Sequence, residues 1–513
     1  MTDVLDAAVA EDIVVDRRLA RRWSAVTWPQ ALLAVVVVAY VTYFTRRTLD
    51  VHHALGTASY DSALYDQGVW LLSQGRAPFV TLMGRNLFGD HSSFILLFLV
   101  PFYWLFPGAG ILFFSQSLAI GLGAVPVFLY GRRRLRSEWA ALVAAVAYLL
   151  HPAIGWTNLE NFHPDSYLGV FVGFALWAAL ERKWKTYAAF VLLSLSVKED
   201  ASLVLVPLGI WVALQRDRRI GLVTVFGSLA FMAFAMLVVM RGLIGVPTRN
   251  GWRIPFGGPS GVIDTAITNP TDLVEHLRRD DRPWYLVQMT APFAWIFARL
   301  PWVAAISALV LFTNVLSTFW YQYQIRYHYS LVAVPALSVG TVYALGAIRE
   351  HRTIGSFSLP MRAIGVGCVG VAALVTSFLW SPLPWGRTPL FYGNPDNAWA
   401  SQAREIIELV PDDAVVSAHY RITPQIAYRD EIYQFPTPFR SVLYGPNGNI
   451  DGPRLAERSE RVEYVVLPIA GAGPTSFSLV DWLVVAPAFG LVASNDYWEL
   501  YQRDIDVALP PER

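Results

Sequence analysis

The chain has 513 residues, 55% of them apolar and only 15% charged. Soluble globular proteins carry about 25% charged residues, so this composition excludes an ordinary soluble enzyme and, with so much apolar material, a disordered chain. A formal net charge of +1 supplies no basic field, which excludes nucleic acid as a partner. The single cysteine, Cys368, lies in an apolar run, so any extracytoplasmic part folds without an internal disulfide.

The first apolar run, Trp28 to Thr45, is too long for a signal-peptide core and has no small-residue cleavage site; it reads as a transmembrane helix. Arg17, Arg18, Arg21 and Arg22 precede it and put residues 1–27 in the cytoplasm. An outer loop follows, residues 46–108. Within it Ser59 to Gln74 reads as one helix, with Leu64, Gly68, Leu71 and Leu72 on a stripe and Asp61 a turn before Tyr65 on one face. Asp61 is either an N-terminal cap of that helix or a base presented to a lipid-borne substrate; Asp66 points elsewhere. Gly89-Asp90-His91 then leads into the apolar run Ser92 to Phe106. Its 15 residues fall short of the ~20 needed to cross the hydrocarbon, so it reads as a helix dipping in from the outer face.

Basic clusters at 132–136, 182–185, 216–219 and 349–352 orient the rest. Taken as cytoplasmic, they give spans at 109–130, 138–155, 166–181, 186–197, 200–215, 219–245, 283–298, 302–318, 330–348 and 363–380, eleven with the first. An odd count leaves residues 381–513 outside. There a helix over Trp399 to Val410 and strands at Ala414 to Ala418, Val462 to Pro468 and Ser494 to Gln502 suggest a small α/β domain. The expected fold is a polytopic α-helical membrane protein of the bacterial plasma membrane, spanning over 28–380, with an extracytoplasmic α/β domain over 381–513.

Polar residues gather at the outer ends of these spans. Lys198-Glu199-Asp200 joins two short spans, and each charge would cost several kcal/mol against lipid. The triplet is therefore either a polar turn with Lys198 pairing Glu199, or a cavity wall offering Lys198 to a phosphate and Glu199 or Asp200 to a metal or sugar hydroxyl. Glu160, His163 and Asp165 stand within six residues; carboxylates with an imidazole suit Mg²⁺ or Mn²⁺, and a solvated loop is the alternative. Arg326 and His328 sit in an aromatic cluster, as snorkelling cations of an interfacial belt or as a phosphate clamp. His419, Tyr420 and Arg421 follow a strand of the C-terminal domain and read as solvated loop residues or ligand contacts.

Asp61…Tyr65…Trp70-Leu71-Leu72…Gly75, a dipping helix, and a span ending in Gly131-Arg132-Arg133 together look like the opening of the GT-C superfamily of integral-membrane glycosyltransferases. More closely, YDSALYDQGVWLLSQGRAPF, GDHSSFILLFLVPFYWLF, NFHPDSY, VKEDASL and YHYSLVAVPAL resemble the DUF2079 family of bacterial membrane proteins, over roughly residues 30–350. The resemblance implies a polyprenyl-phosphate-sugar donor, action on the outer face with membrane lipids around the site, a catalytic aspartate at Asp61, and a metal-binding acidic motif at Glu160 and Asp165. Ser62 departs from an acidic pair beside Asp61.

Sugar transfer from a lipid phosphate needs a base and cations on the leaving phosphate. The roles expected are Asp61 as base, with Asp66 as the second catalytic acid, and Lys198, Arg326, His328, Tyr60 and Arg85 on the donor phosphate. Trp70, Trp156, Asp90 and His91 would contact sugar or acceptor, and Glu160, His163, Asp165, Glu199 and Asp200 would hold Mg²⁺ or Mn²⁺. The acceptor would be an envelope glycan, lipid or protein. A flippase of lipid-linked sugars and a non-catalytic envelope scaffold are the rival readings.

Overall fold

The computed structural model describes residues 26–354, 357–390, 393–445, 448–469 and 479–510. The four arginines ahead of the first helix lie outside them.

The chain is mainly helical. α1 (Trp28–His53) opens with Pro29, which suits a first turn whose N–H has no partner. At 1.5 Å per residue its 26 residues reach about 39 Å, enough to cross a membrane. α2 (Leu64–Ser73) lies in the long loop that follows, and a short hairpin pairs Phe79–Val80 with Arg85–Asn86. The dipping segment is a 3₁₀ turn, Phe94–Leu99, running into a helical turn, Val100–Tyr103.

α3 (Ala109–Leu122) and α4 (Ala124–Arg134) form one span broken at Gly123, where a Cβ would overlap the Tyr148 hydroxyl. α5 (Glu138–Leu149) and α6 (Pro152–Leu159) are bent by 48°. Pro152 explains the break, because it has no N–H to continue the ladder; His151 Nδ1 caps the new helix by accepting from the Ala153 N–H at 3.2 Å. α7 (Ser166–Leu180) and α8 (Trp184–Val197) follow, then α9 (Ser202–Gln215) and α10 (Arg218–Phe234). These last two pack backbone to backbone: a Cβ on Gly209 would meet Gly221 O, and one on Gly221 would meet Ala213 N. Shorter helices occupy 259–316, and α11 (Val334–Leu345) and α12 (Met361–Trp380) follow them.

Among the described residues five helices are long and apolar enough to cross a membrane, or six with the bent pair. Shorter apolar helices, Ser166–Leu180 and Trp184–Val197 among them, occupy positions that the sequence reads as spans. The expected spans at 283–298 and 302–318 are helical but short: Arg282–Thr290 gives way to a 3₁₀ turn at Ile296–Arg299, and a 3₁₀ turn at Ala304–Ser307 runs into a helix at Ala308–Leu316. The segment His328–Leu345 is 89% buried and Arg218–Ile244 only 17%, so the former is the centre of the bundle and the latter its rim.

The C-terminal part carries a five-stranded mixed sheet. β1 (Val416–Ala418) pairs in parallel with β2 (Ile432–Gln434) and with β3 (Tyr464–Pro468); β4 (Phe489–Ser494) and β5 (Trp498–Arg503) add antiparallel, in the order β4-β5-β3-β1-β2. A helix at Ala398–Ile407 covers it. The sheet is tied to the first loop. Thr81 Oγ1 donates to Ile432 O at 2.6 Å, Gln67 Nε2 to Asp430 O at 3.1 Å, and Arg421 Nη1 to Gly56 O at 2.7 Å. Arg421 thus joins the two parts of the chain, and His419 is buried in the sheet's core.

Candidate active site

Four loops at one end of the bundle enclose a cavity of about 280 Å³. The loop after α1 contributes Tyr60, Asp61, Arg85, Asp90 and His91; the bend after α6 gives Glu160, His163 and Asp165; the turn after α8 gives Lys198; the segment before α11 gives Tyr327, His328 and Tyr329. The gathering of loop charges at one end of the bundle, expected from the sequence, is thus found.

Asp61 differs from the expected helical residue. The helix starts only at Leu64, and Asp61 has φ 74° and ψ −78°, the strained geometry of a tight three-residue turn. It does not share a helical face with Tyr65, and its carboxylate caps nothing. Asn161, itself at φ 33°, holds the turn: its Oδ1 accepts from Ser62 Oγ at 3.0 Å and from the Ala58 N–H at 3.3 Å. The backbone strain therefore aims Asp61 into the cavity. Recession among protein atoms pushes its pKa up to about 6, although His163 works the other way.

Nearly every other charge is matched. Arg85 Nε donates to Asp90 Oδ1 at 2.8 Å. Glu199 accepts from His91 Nδ1 at 2.7 Å and from the Ser92 N–H at 3.0 Å, which ties down the start of the dipping segment and leaves Glu199 outside the cavity. Lys198 Nζ lies 3.5 Å from Asp165 and 3.4 Å from Asp200; Glu199 is not its partner. Burial favours neutral Asp165, but the Lys198 ammonium prevails and its pKa falls. Arg253, unassigned by the sequence, enters from a long loop; its Nη1 donates to Tyr329 Oη at 3.1 Å and its guanidinium stacks 4.3 Å over Phe319. The only clue to it was a basic residue beside Trp252 in a Gly- and Pro-rich loop, a pattern shared by many surface loops.

The metal set also changes. Ligand atoms of Glu160, His163 and His328 lie within 4.8 Å of one another. His163 Nε2 is buried without a hydrogen-bond partner, 3.5 Å from Glu160 Oε2 and 3.8 Å from Asp61 Oδ2. The imidazoles of His163 and His328 stack at 3.6 Å, and the His328 backbone N–H donates to Glu160 Oε2 at 3.2 Å. Burial lowers the pKa of His163, but Asp61 and Glu160 outweigh it and raise it to about 9. Asp165, Glu199 and Asp200, expected as ligands, are engaged in the pairs above. His328, expected on phosphate, stands instead beside Glu160 and His163. An imidazole nitrogen without a hydrogen-bond partner, facing two carboxylates, is a donor set that a divalent ion could occupy in place of the imidazole's proton.

Four other expected residues fall elsewhere. Asp66 is buried under Tyr103, whose hydroxyl donates to it at 2.8 Å. Trp70 packs against the bundle outside the cavity. Trp156 and Arg326 line a separate pocket.

A match to the family described as "Predicted membrane protein (DUF2079)" runs over residues 51–477. The chain belongs to the DUF2079 family. It is a multi-pass membrane protein by that membership and by its helices. No curated protein matches it. Among solved structures it is similar to ArnT from Cupriavidus metallidurans bound to undecaprenyl phosphate, with a TM-score of 0.54 at 13% identity over 91% of this chain and 97% of that one. Apo ArnT gives 0.53 at 14% identity, over 94% of this chain and 99% of that one. This likeness gives the fold alone.

Proposed function

We propose that the protein is a GT-C-type glycosyltransferase that moves a sugar from a polyprenyl phosphate to an envelope glycan, lipid or protein on the outer face of the membrane. The observation that carries this reading is Asp61: a carboxylate without a hydrogen-bonded partner among the described residues, held by a strained turn in a cavity ringed by cations. The similar fold of ArnT, crystallised with undecaprenyl phosphate, agrees with it. So does an apolar groove of about 570 Å³ between the dipping segment, α3, α7 and α8, lined by Phe98, Phe102, Phe114 and Phe171. The same elements carry His91, Asp165 and Lys198 at their loop ends, so a prenyl chain in the groove would bring its phosphate toward the cavity.

In this reading the acceptor hydroxyl attacks the anomeric carbon while its proton passes to Asp61 Oδ2. The bond from that carbon to the phosphate oxygen breaks, and the lipid phosphate leaves with the electron pair. Attack from the face opposite the phosphate inverts the sugar. Lys198, Arg85 and Arg253 face the charge that grows on the leaving group. Glu160, His163 and His328 would hold a divalent ion, which when bound supplies further positive charge to that region. The shorter apolar helices and the broken segments over 283–318 would complete the eleven spans, with 1–27 inside and 381–513 outside. A flippase needs polar groups reachable from both sides; here they gather at one end of the bundle.

The test is transfer from a synthetic polyprenyl-phosphate sugar by the purified chain in nanodiscs, with an envelope extract as acceptor. Asp61→Asn should abolish it. Transfer at the wild-type rate by that variant would remove Asp61 from the role.

A further inference from the structure

A second cavity of about 340 Å³ lies behind the wall of the first. The wall is α6 together with the segment at 325–328. Trp156 and Arg326 face the second cavity, while Glu160, one turn on, and Tyr327, the next residue, face the first. Across from them stand Trp380, Arg387 and Thr388, at the end of α12 and just past it.

We propose that this second cavity binds the phosphate of a membrane lipid, at a site separate from the reacting centre. Its lining holds two guanidinium groups and no carboxylate. Among the described residues neither Arg326 nor Arg387 has an acidic partner. That is the reverse of the first cavity, where Arg85 and Lys198 are each matched to an acid. The Arg326 guanidinium is nonetheless placed, and so is the backbone that carries Arg387. Arg326 lies 5.1 Å over the Trp156 ring, and Trp156 Nε1 donates to Trp380 O at 2.6 Å. The Arg387 N–H donates to Phe378 O at 2.9 Å, and Thr388 Oγ1 to Leu379 O at 3.3 Å, folding the loop back on α12. One guanidinium placed over a ring and a second on the same cavity's lining suit a phosphate, whose oxygens accept in pairs.

The lipid source follows from position. α12 is 20 residues long and only 28% buried, a lipid-facing span ending at Trp380. Tryptophans at span ends mark the headgroup level, so the cavity opens where lipid phosphates stand. The proposal does not depend on the transfer reaction.

The test is native mass spectrometry of the full chain in non-ionic detergent, with phosphatidylglycerol as probe, diacylglycerol as neutral control and inorganic phosphate as competitor. The wild type should retain one phosphatidylglycerol that Arg326→Gln/Arg387→Gln binds about tenfold more weakly or not at all. Lys198→Gln should retain it, and diacylglycerol should not bind there. Arg326→Lys and Arg387→Lys keep the charge without the fork and should weaken binding by less than the double variant. Equal binding by the double variant, or loss in a Lys198→Gln chain whose charge-state distribution shows it folded, would overturn the site. Displacement by inorganic phosphate at equal concentration would overturn the lipid as its source.

Discussion

Asp61 and Asp66 stand five residues apart in a stretch that the sequence reads as a single helix, yet they occupy opposite regions of the molecule. Asp61 sits on a strained turn and opens to a polar cavity, its side chain 38% exposed. Asp66 is the true helical residue, buried, with one oxygen bonded to Tyr103 and the other without a partner. A backbone break separates an acid free to take a proton from an acid that is part of the packing. The two are separable by experiment: one substitution should cost activity and leave stability, the other the reverse.

The largest effect expected is on transfer. Asp61→Asn keeps the shape and removes the base, so the rate should fall by about 10²–10⁴-fold while the melting temperature stays near wild type. Loss of folding instead of rate would mean that the turn, and not the carboxylate, is what the chain needs.

Lys198→Met should act on both measures. It leaves Asp165, whose side chain is 6% exposed, as an uncompensated buried charge. Breaking such a pair costs about 3–5 kcal/mol, readable as a lower denaturant midpoint. A variant as stable as wild type would show that water already screens the pair. Asp165→Asn on the Lys198→Met background should recover part of the loss, because it removes the orphaned charge.

Asp66 gives the opposite member of the comparison. Burial raises its pKa to about 7, while the Tyr103 hydroxyl acts the other way. A carboxyl whose folded pKa exceeds its unfolded value of about 3.9 contributes stability that is complete below that value. The contribution is lost as pH rises toward about 7. Wild-type stability should therefore decline between about pH 4 and pH 7 by on the order of 2–4 kcal/mol. Asp66→Asn should flatten that slope and leave transfer intact. An unchanged slope in the variant would assign the decline to other groups.

The sequence made one side of this comparison legible and hid the other. Composition, the apolar run at Trp28 and the basic clusters led to a membrane bundle, and α7, α8 and α12 fall close to the expected bounds. The convergence of residues 61, 160, 163, 198 and 328 followed from placing loops on a common side. What a linear pattern cannot carry is direction. Asp61 was placed in a helix because nothing local signals a φ of 74°; the cause is Asn161, one hundred residues away. The metal set named Asp165 by proximity in sequence, but Lys198 claims it, and His328 arrives from another loop. Arg326 was expected on the donor phosphate of the reacting site, but residue-to-residue alternation turns it away from Tyr327 and into the second cavity.

The smallest effect belongs to the wall between the two cavities. Trp156 Nε1 donates to Trp380 O at 2.6 Å, and its ring carries the Arg326 guanidinium. Trp156→Phe keeps an aromatic face and removes the donor, leaving a carbonyl at a site it shares with solvent. A neutral hydrogen bond contributes about 1 kcal/mol net, so thermal unfolding should shift by only a few degrees. If Trp156 stacked on the sugar, as its residue type suggested, the same change would raise the KM for donor or acceptor. The ring instead faces the second cavity, one turn before Glu160. Transfer should accordingly hold its KM while the chain loses that small increment of stability, and a change in KM without one in stability would return Trp156 to the reacting side of the wall.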